Sequence, residues 1–365
     1  MKSKVYFIRV NDSDTAQVIK EKLGWLIRES NIFSFIKQAD TVAVKMHFGE
    51  EANTGFVRPE YVRIAVDDIV ARGARPLLTD TNTLYRGRRM TSEEHAQLAY
   101  EHGFTQDIVG APLLISDDTG KEEYPVRINE KFIKTAKIAT LFSSVDTIVG
   151  IAHFKGHMMT GFGGALKNLG MGCATRKGKL AQHSDISPYV ITNTCTGCGE
   201  CVKVCPAEAI IIVNKKAVLD SKKCIGCASC IAACKFNSMD VDWEAGGYVI
   251  QEKMAEYAKA VLKGKEEKCA FINFAIKITK ECDCLAKDDP KISPDVGIFA
   301  SQDPVSIDKA AFDLVIQACG KDIFKELHPK RDGFRQLQHA HEIGIGNLDY
   351  ELDNVKYLSH FDIAM

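Results

Sequence analysis

The run TNTCTGCGECVKVCPAEAI, residues 192 to 210, carries Cys195, Cys198, Cys201 and Cys205, and CIGCASCIAAC repeats the spacing as Cys224, Cys227, Cys230 and Cys234. A doubled C-x2-C-x2-C-x3-C limits the chain more tightly than any apolar pattern in it. Structural zinc takes two pairs of ligands separated by a longer spacer, whereas three cysteines in consecutive x2 steps curl a loop around one corner of an iron–sulfur cubane. A disulfide framework is disfavoured as well, because the 13 cysteines come without a secretory signal and thiols in a reducing compartment bind metal or catalyse instead.

In the bacterial two-cluster arrangement the fourth cysteine of each motif ligates the other cluster. On that rule Cys195, Cys198, Cys201 and Cys234 hold one [4Fe–4S] cluster, and Cys224, Cys227, Cys230 and Cys205 hold the second. Gly197 and Gly226 sit at matching places in the two loops, where the absence of Cβ lets backbone N–H groups approach the sulfurs. Residues 187 to 244 thus resemble a bacterial two-cluster ferredoxin, with one departure: Cys205 is followed by Pro206 but Cys234 by Lys235. A short β-like run comes after each motif, AIIIV and SMDVDW, as a small duplicated unit requires.

The rest of the composition is that of an ordinary globular chain. With 365 residues, 45% of them hydrophobic, it can bury a sizeable core. A formal net charge of −1, from 47 basic and 48 acidic residues, gives no reason to expect nucleic acid or an anionic membrane as partner. The start, MKSKVYFIRVNDSD, lacks the apolar core of a signal peptide, and no segment approaches the roughly 18 apolar residues of a spanning helix. A soluble, cytoplasmic protein without membrane insertion is expected.

On either side of the cysteine motifs, strands alternate with helices. KVYFIRV, TVAVKM, ARPLLTD, PLLIS and DTIVGIAHF read as strands, with helices over 14–30, from Pro59 and over 91–102 between them. Beyond the motifs come a helix over 248–262, strands CAFINFAIKI and DVGIFAS, and a helix from Pro304 to Cys319, capped by Asp303 and closed by Gly320. This pattern predicts an α/β fold, a mostly parallel sheet with helices on both faces. A small α+β two-cluster ferredoxin-like insertion interrupts it. The expected division is residues 1–186 and 245–365 as one α/β domain and 187–244 as the insertion, leaving and re-entering the sheet at nearby points.

Open α/β sheets place ligands beyond the carboxyl ends of their strands. At those ends of the proposed strands stand Lys45 and His47; then Asp80, Asn82, Tyr85 and Arg86; then His153, Lys155 and His157. His47, Asp80, His153, Lys155 and His157 are the candidate acid–base and binding groups. In HFKGHMMTGFGGALKNLGMGCATRKGK, residues 153 to 179, Gly161, Gly163 and Gly164 lead into a short helix, ALKNLG. Its free N–H groups are expected to cradle a phosphate or carboxylate, with Lys155 or Lys167 adding charge.

Taken together, KMHFGE, LTDTNTLYRGRR, HFKGHMMTGFGGALKNLGMGC and CDCLAKDDPKISPDVGIFASQDPVSIDKAAFDL resemble the iron–sulfur-centre proteins built on domain of unknown function 362. The resemblance covers nearly the whole chain and implies this architecture and two clusters, but no reaction. A more distant likeness, resting on sheet-edge histidines and lysines alone, is to the catalytic domain of nickel-pincer lactate racemases, and it fixes no substrate.

Five cysteines lie outside the two motifs. Cys269 and Cys319 read as small buried hydrophobes. Side chains two apart in an extended segment point the same way, so Cys282 and Cys284 can present two thiolates to one additional metal ion, a disulfide between them being strained. Cys173, with His153 or His157, is a further candidate for a mixed N and S site. Three functions fit: an oxidoreductase relaying electrons to a small anionic ligand at the sheet edge, an adaptor for a redox partner protein, or a metal- or cluster-handling protein using Cys282 and Cys284.

Overall fold

In the computed structural model of the chain, residues 2–85, 87–116, 123–183, 188–205, 207–224, 229–240 and 249–357 are described; Arg86, Pro206, Gly226 and Cys227 lie outside these residues. The strands are β1 (Ser3–Arg9), β2 (Thr41–Lys45), β3 (Arg75–Thr81), β4 (Leu113–Ser116), β5 (Glu123–Arg127), β6 (Thr135–Ala139), β7 (Thr147–His153) and β8 (Lys155–His157). They continue with β9 (Gly161–Gly163), β10 (Tyr189–Val190), β11 (Ile210–Val213), β12 (Lys216–Leu219), β13 (Met239–Asp240), β14 (Cys269–Ala275), β15 (Gly297–Ser301) and β16 (Tyr350–Asn354). Eight of them form the main sheet, in the order β16-β1-β15-β14-β7-β2-β3-β4.

The sheet is mostly parallel, as expected. The exception is β15, antiparallel to both β14 and β1. β14 ends at Ala275, before Lys277 takes a left-handed φ of 50°, and a loop without helix leads back along the sheet into β15. A parallel return needs a crossover, normally a helix, and none lies there. Alternate strand residues feed two cores. Val5, Phe271 and Phe299 face the helices Ala165–Gly170, Val249–Leu262 and Pro304–Cys319, whereas Ile8, Ile272 and Ile298 face Ala16–Ser30 and Pro59–Ala71. The helix Pro304–Cys319 starts and stops as its sequence requires: Asp303 accepts from Val305 and Ser306 N–H at 2.8 and 2.9 Å, and Gly320 closes it with φ 69°. Among the described residues no helix is long and apolar enough to cross a membrane.

The cysteine-rich segment carries its own small elements. β10 pairs with β13, which draws the two ends of the segment together, and β11 pairs with β12 as a hairpin. The helices Glu200–Lys203 and Ser229–Ala233 pack against each other. Leu84 and Leu180 of the α/β part join Cys195, Cys201, Cys230, Cys234, Ile231 and Met239 in one apolar cluster, so the segment is docked through a shared core. AIIIV forms β11 as expected; of SMDVDW, Met239 and Asp240 form β13 and residues 241–243 lie outside the described ones. Not expected from the sequence were the hairpins β5–β6 and β8–β9. Pro125 in β5 and the glycines of β8 and β9 hide their strand character.

Candidate functional site

The carboxyl ends of β2, β3 and β7, with the loop after β14, open into a cavity of about 1140 Å³. Lys45, His47, Asp80, His153, Lys155 and His157 all line it, so residues scattered over more than 100 positions meet at one sheet edge. The structure pairs them in a way the sequence did not disclose. Asp80 receives Lys45 Nζ at 2.9 Å and faces His95 Nε2 at 3.8 Å. Asp283 accepts from His153 Nδ1 at 3.0 Å and lies 3.3 Å from Lys155 Nζ. Glu50 holds Arg89 at 2.9 Å, and Arg89 in turn reaches His47 Nε2 at 2.8 Å and the Tyr85 hydroxyl. Asp80 and Asp283 therefore each pair with one lysine and one histidine, and Glu50 pairs with Arg89, which contacts a third histidine.

Burial opposes ionisation of Asp80 and Asp283, but the surrounding charges outweigh it. Lys45 and His95 hold Asp80 below the usual carboxylate range, and His153 and Lys155 do the same for Asp283. His47 and His157 are pushed the other way. Burial first, then Arg89 for His47 and Lys167 for His157, keeps both rings neutral well below the ordinary histidine value. The Met159 and Thr160 amides donate to His157 Nδ1 at 3.1 and 3.2 Å, so this neutral ring carries its proton on Nε2.

Lys167 differs from Lys45, Lys155 and Arg89. Its ammonium has no hydrogen-bond or carboxylate partner among the described residues, and it lines the cavity. Burial, reinforced by Lys155 and Arg89, lowers its pKa to about 7.

The glycines ahead of Lys167 do not form an anion cradle. Gly161 and Gly163 bound strand β9, and the first amides of the helix Ala165–Gly170 are taken: Ala165 and Leu166 N–H donate to Asp308 at 2.7 and 2.9 Å. A Cβ on Gly164 would lie 2.2 Å from Asp308 Oδ1, and one on Gly161 2.7 Å from the Gly333 backbone. These two glycines therefore admit a buried cap and a close backbone contact. Gly163 makes room for the Lys167 stem, a Cβ there lying 2.8 Å from Lys167 Cδ.

Two expectations about the remaining cysteines are corrected. Cys173 sits in the hydrophobic core, its thiol pushed up to about 12 by burial, and among the described residues it joins no group of ligand atoms close enough to hold a metal ion. Cys282 and Cys284 are joined by a disulfide rather than left as open thiols, the turn bringing their Cα atoms to 5.2 Å, inside the ordinary range. His157, Cys282 and Cys284 nevertheless form a Cys/His group whose ligand atoms all lie within 4.8 Å, close enough to hold a metal ion when the sulfurs are free.

A second, small cavity is lined by Cys195, Cys198, Cys201 and Cys234. Backbone amides point at its sulfurs: Ala217 N–H donates to Cys195 at 3.3 Å and Ser238 N–H to Cys234 at 3.1 Å. Of the other four, Cys230 is buried and Cys205 and Cys224 are half-buried. Ala209 N–H donates to Cys205 at 3.2 Å, and Cys227 lies outside the described residues. Met239 lines both the small cavity and the large one, and Ile231, next to Cys230, also lines the large one.

Sequence reasoning missed Glu50, Arg89, His95, Asn168 and Asp283. Glu50 and Asn168 lie inside motifs already singled out, KMHFGE and ALKNLG, and Asp283 lies between the two cysteines. Asn168 Oδ1 accepts from Lys45 at 2.8 Å, completing the lysine's surroundings. Because Lys45 is 1% exposed, Asp80→Ala is expected to cost about 3–5 kcal/mol by stranding a buried ammonium. Denaturant unfolding checks this, with Lys45→Met/Asp80→Leu expected to recover most of the loss.

No curated protein matches the chain. Solved structures similar to it include the following two. One is the lactate racemase apoprotein from Thermoanaerobacterium thermosaccharolyticum, 12% identical with a TM-score of 0.38, covering 75% of this chain and 51% of that one. The other is a protein from Thermotoga maritima, 13% identical with a TM-score of 0.40, covering 85% of this chain and 60% of that one. The chain thus spans between about half and three-fifths of these neighbours' lengths. The family described as domain of unknown function DUF362 matches residues 42–313, on both sides of the cysteine motifs and over well more than half of the chain, and the protein belongs to that family.

Proposed function

We propose that this chain is an iron–sulfur electron-transfer protein, an oxidoreductase that passes electrons to a small anionic ligand held in the large cavity. A ferredoxin-like module over 187–244 interrupts an α/β domain made of 1–186 and 245–365. The observation that carries the reading is the shared wall: Met239 lines both the cavity bounded by Cys195, Cys198, Cys201 and Cys234 and the cavity that holds the histidines and lysines. An electron carrier is thereby set one side chain from a ligand pocket, which a free-standing carrier would not need.

The residues around the small cavity fit one [4Fe–4S] cluster. Four cysteines surround one small cavity with amides aimed at their sulfurs, the hydrogen-bonding environment that tunes such centres. Cys224, Cys227, Cys230 and Cys205 would hold a second. Bound there, the clusters supply electrons one at a time. This chain's own residues do the rest. Lys167 meets the ligand's negative charge, and the neutral His157 donates a hydrogen bond from Nε2–H. His153 and Lys155, tied to Asp283, together with Arg89 and His47, form a preorganised wall that need not rearrange as charge develops.

Dithionite-reduced protein, purified under argon and titrated with small carboxylates and inorganic phosphate, tests the reading. At least one of these anions is expected to perturb the iron–sulfur EPR signal, and the perturbation should vanish in His153→Ala and Lys167→Met. Indifference to every anion would sink the catalytic pocket and leave an adaptor for a redox partner protein. A second reading, metal handling, is favoured by the clustering of His157, Cys282 and Cys284. One additional metal ion per chain, lost in Cys282→Ser, would establish it.

A further inference from the structure

We infer that Cys282 and Cys284 are a two-electron redox couple built into the wall of the large cavity, the disulfide being its oxidised form. The bond closes a loop over a single residue, Asp283. So short a loop restrains little of the unfolded chain, and the bond adds far less to stability than one spanning tens of residues. Cys173, Cys269 and Cys319, outside the two motifs, stay as thiols. A structural staple is therefore a poor account of this one.

Its surroundings suit reversible opening. Asp283, between the two cysteines, is anchored by His153 and Lys155, and its backbone carbonyl accepts from Glu50 N–H at 3.0 Å. The Cys284 carbonyl accepts from the Tyr85 hydroxyl at 2.9 Å. These bonds hold the segment whether or not the sulfurs are joined, so reduction leaves both sulfurs in place to re-form the bond. A ring nitrogen of His157 lies within 4.8 Å of both sulfurs, and its amide partners leave Nε2–H as a hydrogen-bond donor. Cys284 lines the cavity that Lys167 lines, so the couple faces whatever ligand is bound there.

Opening the couple breaks one S–S bond, takes up two electrons and two protons, and yields two thiols; closing it returns both electrons and both protons. Resting on the reading of 187–244 as a two-cluster module, the two electrons come from two one-electron iron–sulfur carriers, one from each. Cys282–Cys284 thus converts single-electron supply into an electron pair beside the ligand.

Two measurements on the full chain purified under argon test this. In the first, the protein is equilibrated in glutathione redox buffers, quenched with acid and alkylated with N-ethylmaleimide, and the peptide containing residues 282 to 284 is weighed by mass spectrometry. A reversible transition between zero and two adducts, with a two-electron slope, is expected. Two adducts at every potential, no adducts at any, or protection by stoichiometric zinc would overturn the couple. In the second, thiol-free protein is photoreduced with a deazaflavin and the electrons taken up are counted. The native chain is expected to accept about four and Cys282→Ser/Cys284→Ser about two. Equal uptake at full iron content overturns the link to the carriers. A chain that binds no iron but still shows the glutathione transition sinks the cluster reading and leaves the couple standing.

Discussion

Replacing Cys234 with alanine is expected to remove the same irons as replacing Cys198, although Cys234 belongs to the other sequence motif. The native chain purified under argon should carry about eight irons, and each single variant about four. The reason is spatial: Cys234 lines the small cavity with Cys195, Cys198 and Cys201, and its sulfur accepts the Ser238 amide at 3.1 Å. Combining Cys198→Ala with Cys234→Ala should therefore remove no more iron than either alone, whereas Cys224→Ala with Cys234→Ala should remove nearly all of it. Iron and acid-labile sulfide assays, with EPR spin counts after dithionite reduction, read the result. If Cys234→Ala and Cys224→Ala instead share one loss, each motif serves its own cluster and the crossed ligation is wrong.

Lys167→Met is expected to weaken binding of a small anion by roughly 10- to 100-fold, the range for a hydrogen bond to a charged group. The native affinity should also depend on pH. With its pKa lowered to about 7 by burial and by Lys155 and Arg89, Lys167 is an ammonium below that pH and a neutral amine above it. Anion affinity should be flat below pH 7 and fall about tenfold per unit above it, and Lys167→Met should abolish that slope. The sign for stability is the opposite. The folded chain gives up this proton near pH 7 and the unfolded chain near 10.5, so the unfolded state binds more protons between those values and stability rises with pH across that window. Lys167→Met should remove that contribution. Calorimetric titration with sulfate, whose charge is constant over this range, and denaturant unfolding over pH 6 to 9 check both; a pH-independent affinity with the lysine present would refute this role for it.

Much of the scaffold was legible because its rules are local. Apolar runs bounded by Gly, Pro and polar turns marked all eight strands of the main sheet except β16, and Asp303, Pro304 and Gly320 marked both ends of one helix. His47, Asp80, His153, Lys155 and His157 were legible as a group because each sits at or just past the carboxyl end of its strand. The glycine stretch misled for a physical reason. A glycine-rich approach to a helix leaves amides free only if nothing else caps them, and the cap, Asp308, lies about 140 residues downstream.

The α/β scaffold and the doubled cysteine spacing could be read from the chain alone, since backbone propensity, side-chain alternation and the x2 steps between cysteines act over a few residues. Which charges cancel was settled in three dimensions. Asp283 meets His153 across 130 positions, and Lys45 meets Asn168 across 123, through strand order and loop paths that no local pattern encodes. The same long-range packing gives Lys45, Lys155 and Arg89 their carboxylates but leaves the Lys167 ammonium without one among the described residues, joins Cys282 to Cys284, and sets Met239 between two cavities. A buried charge takes its character from the neighbours the fold brings to it, and those neighbours come from strands and loops far apart in the chain.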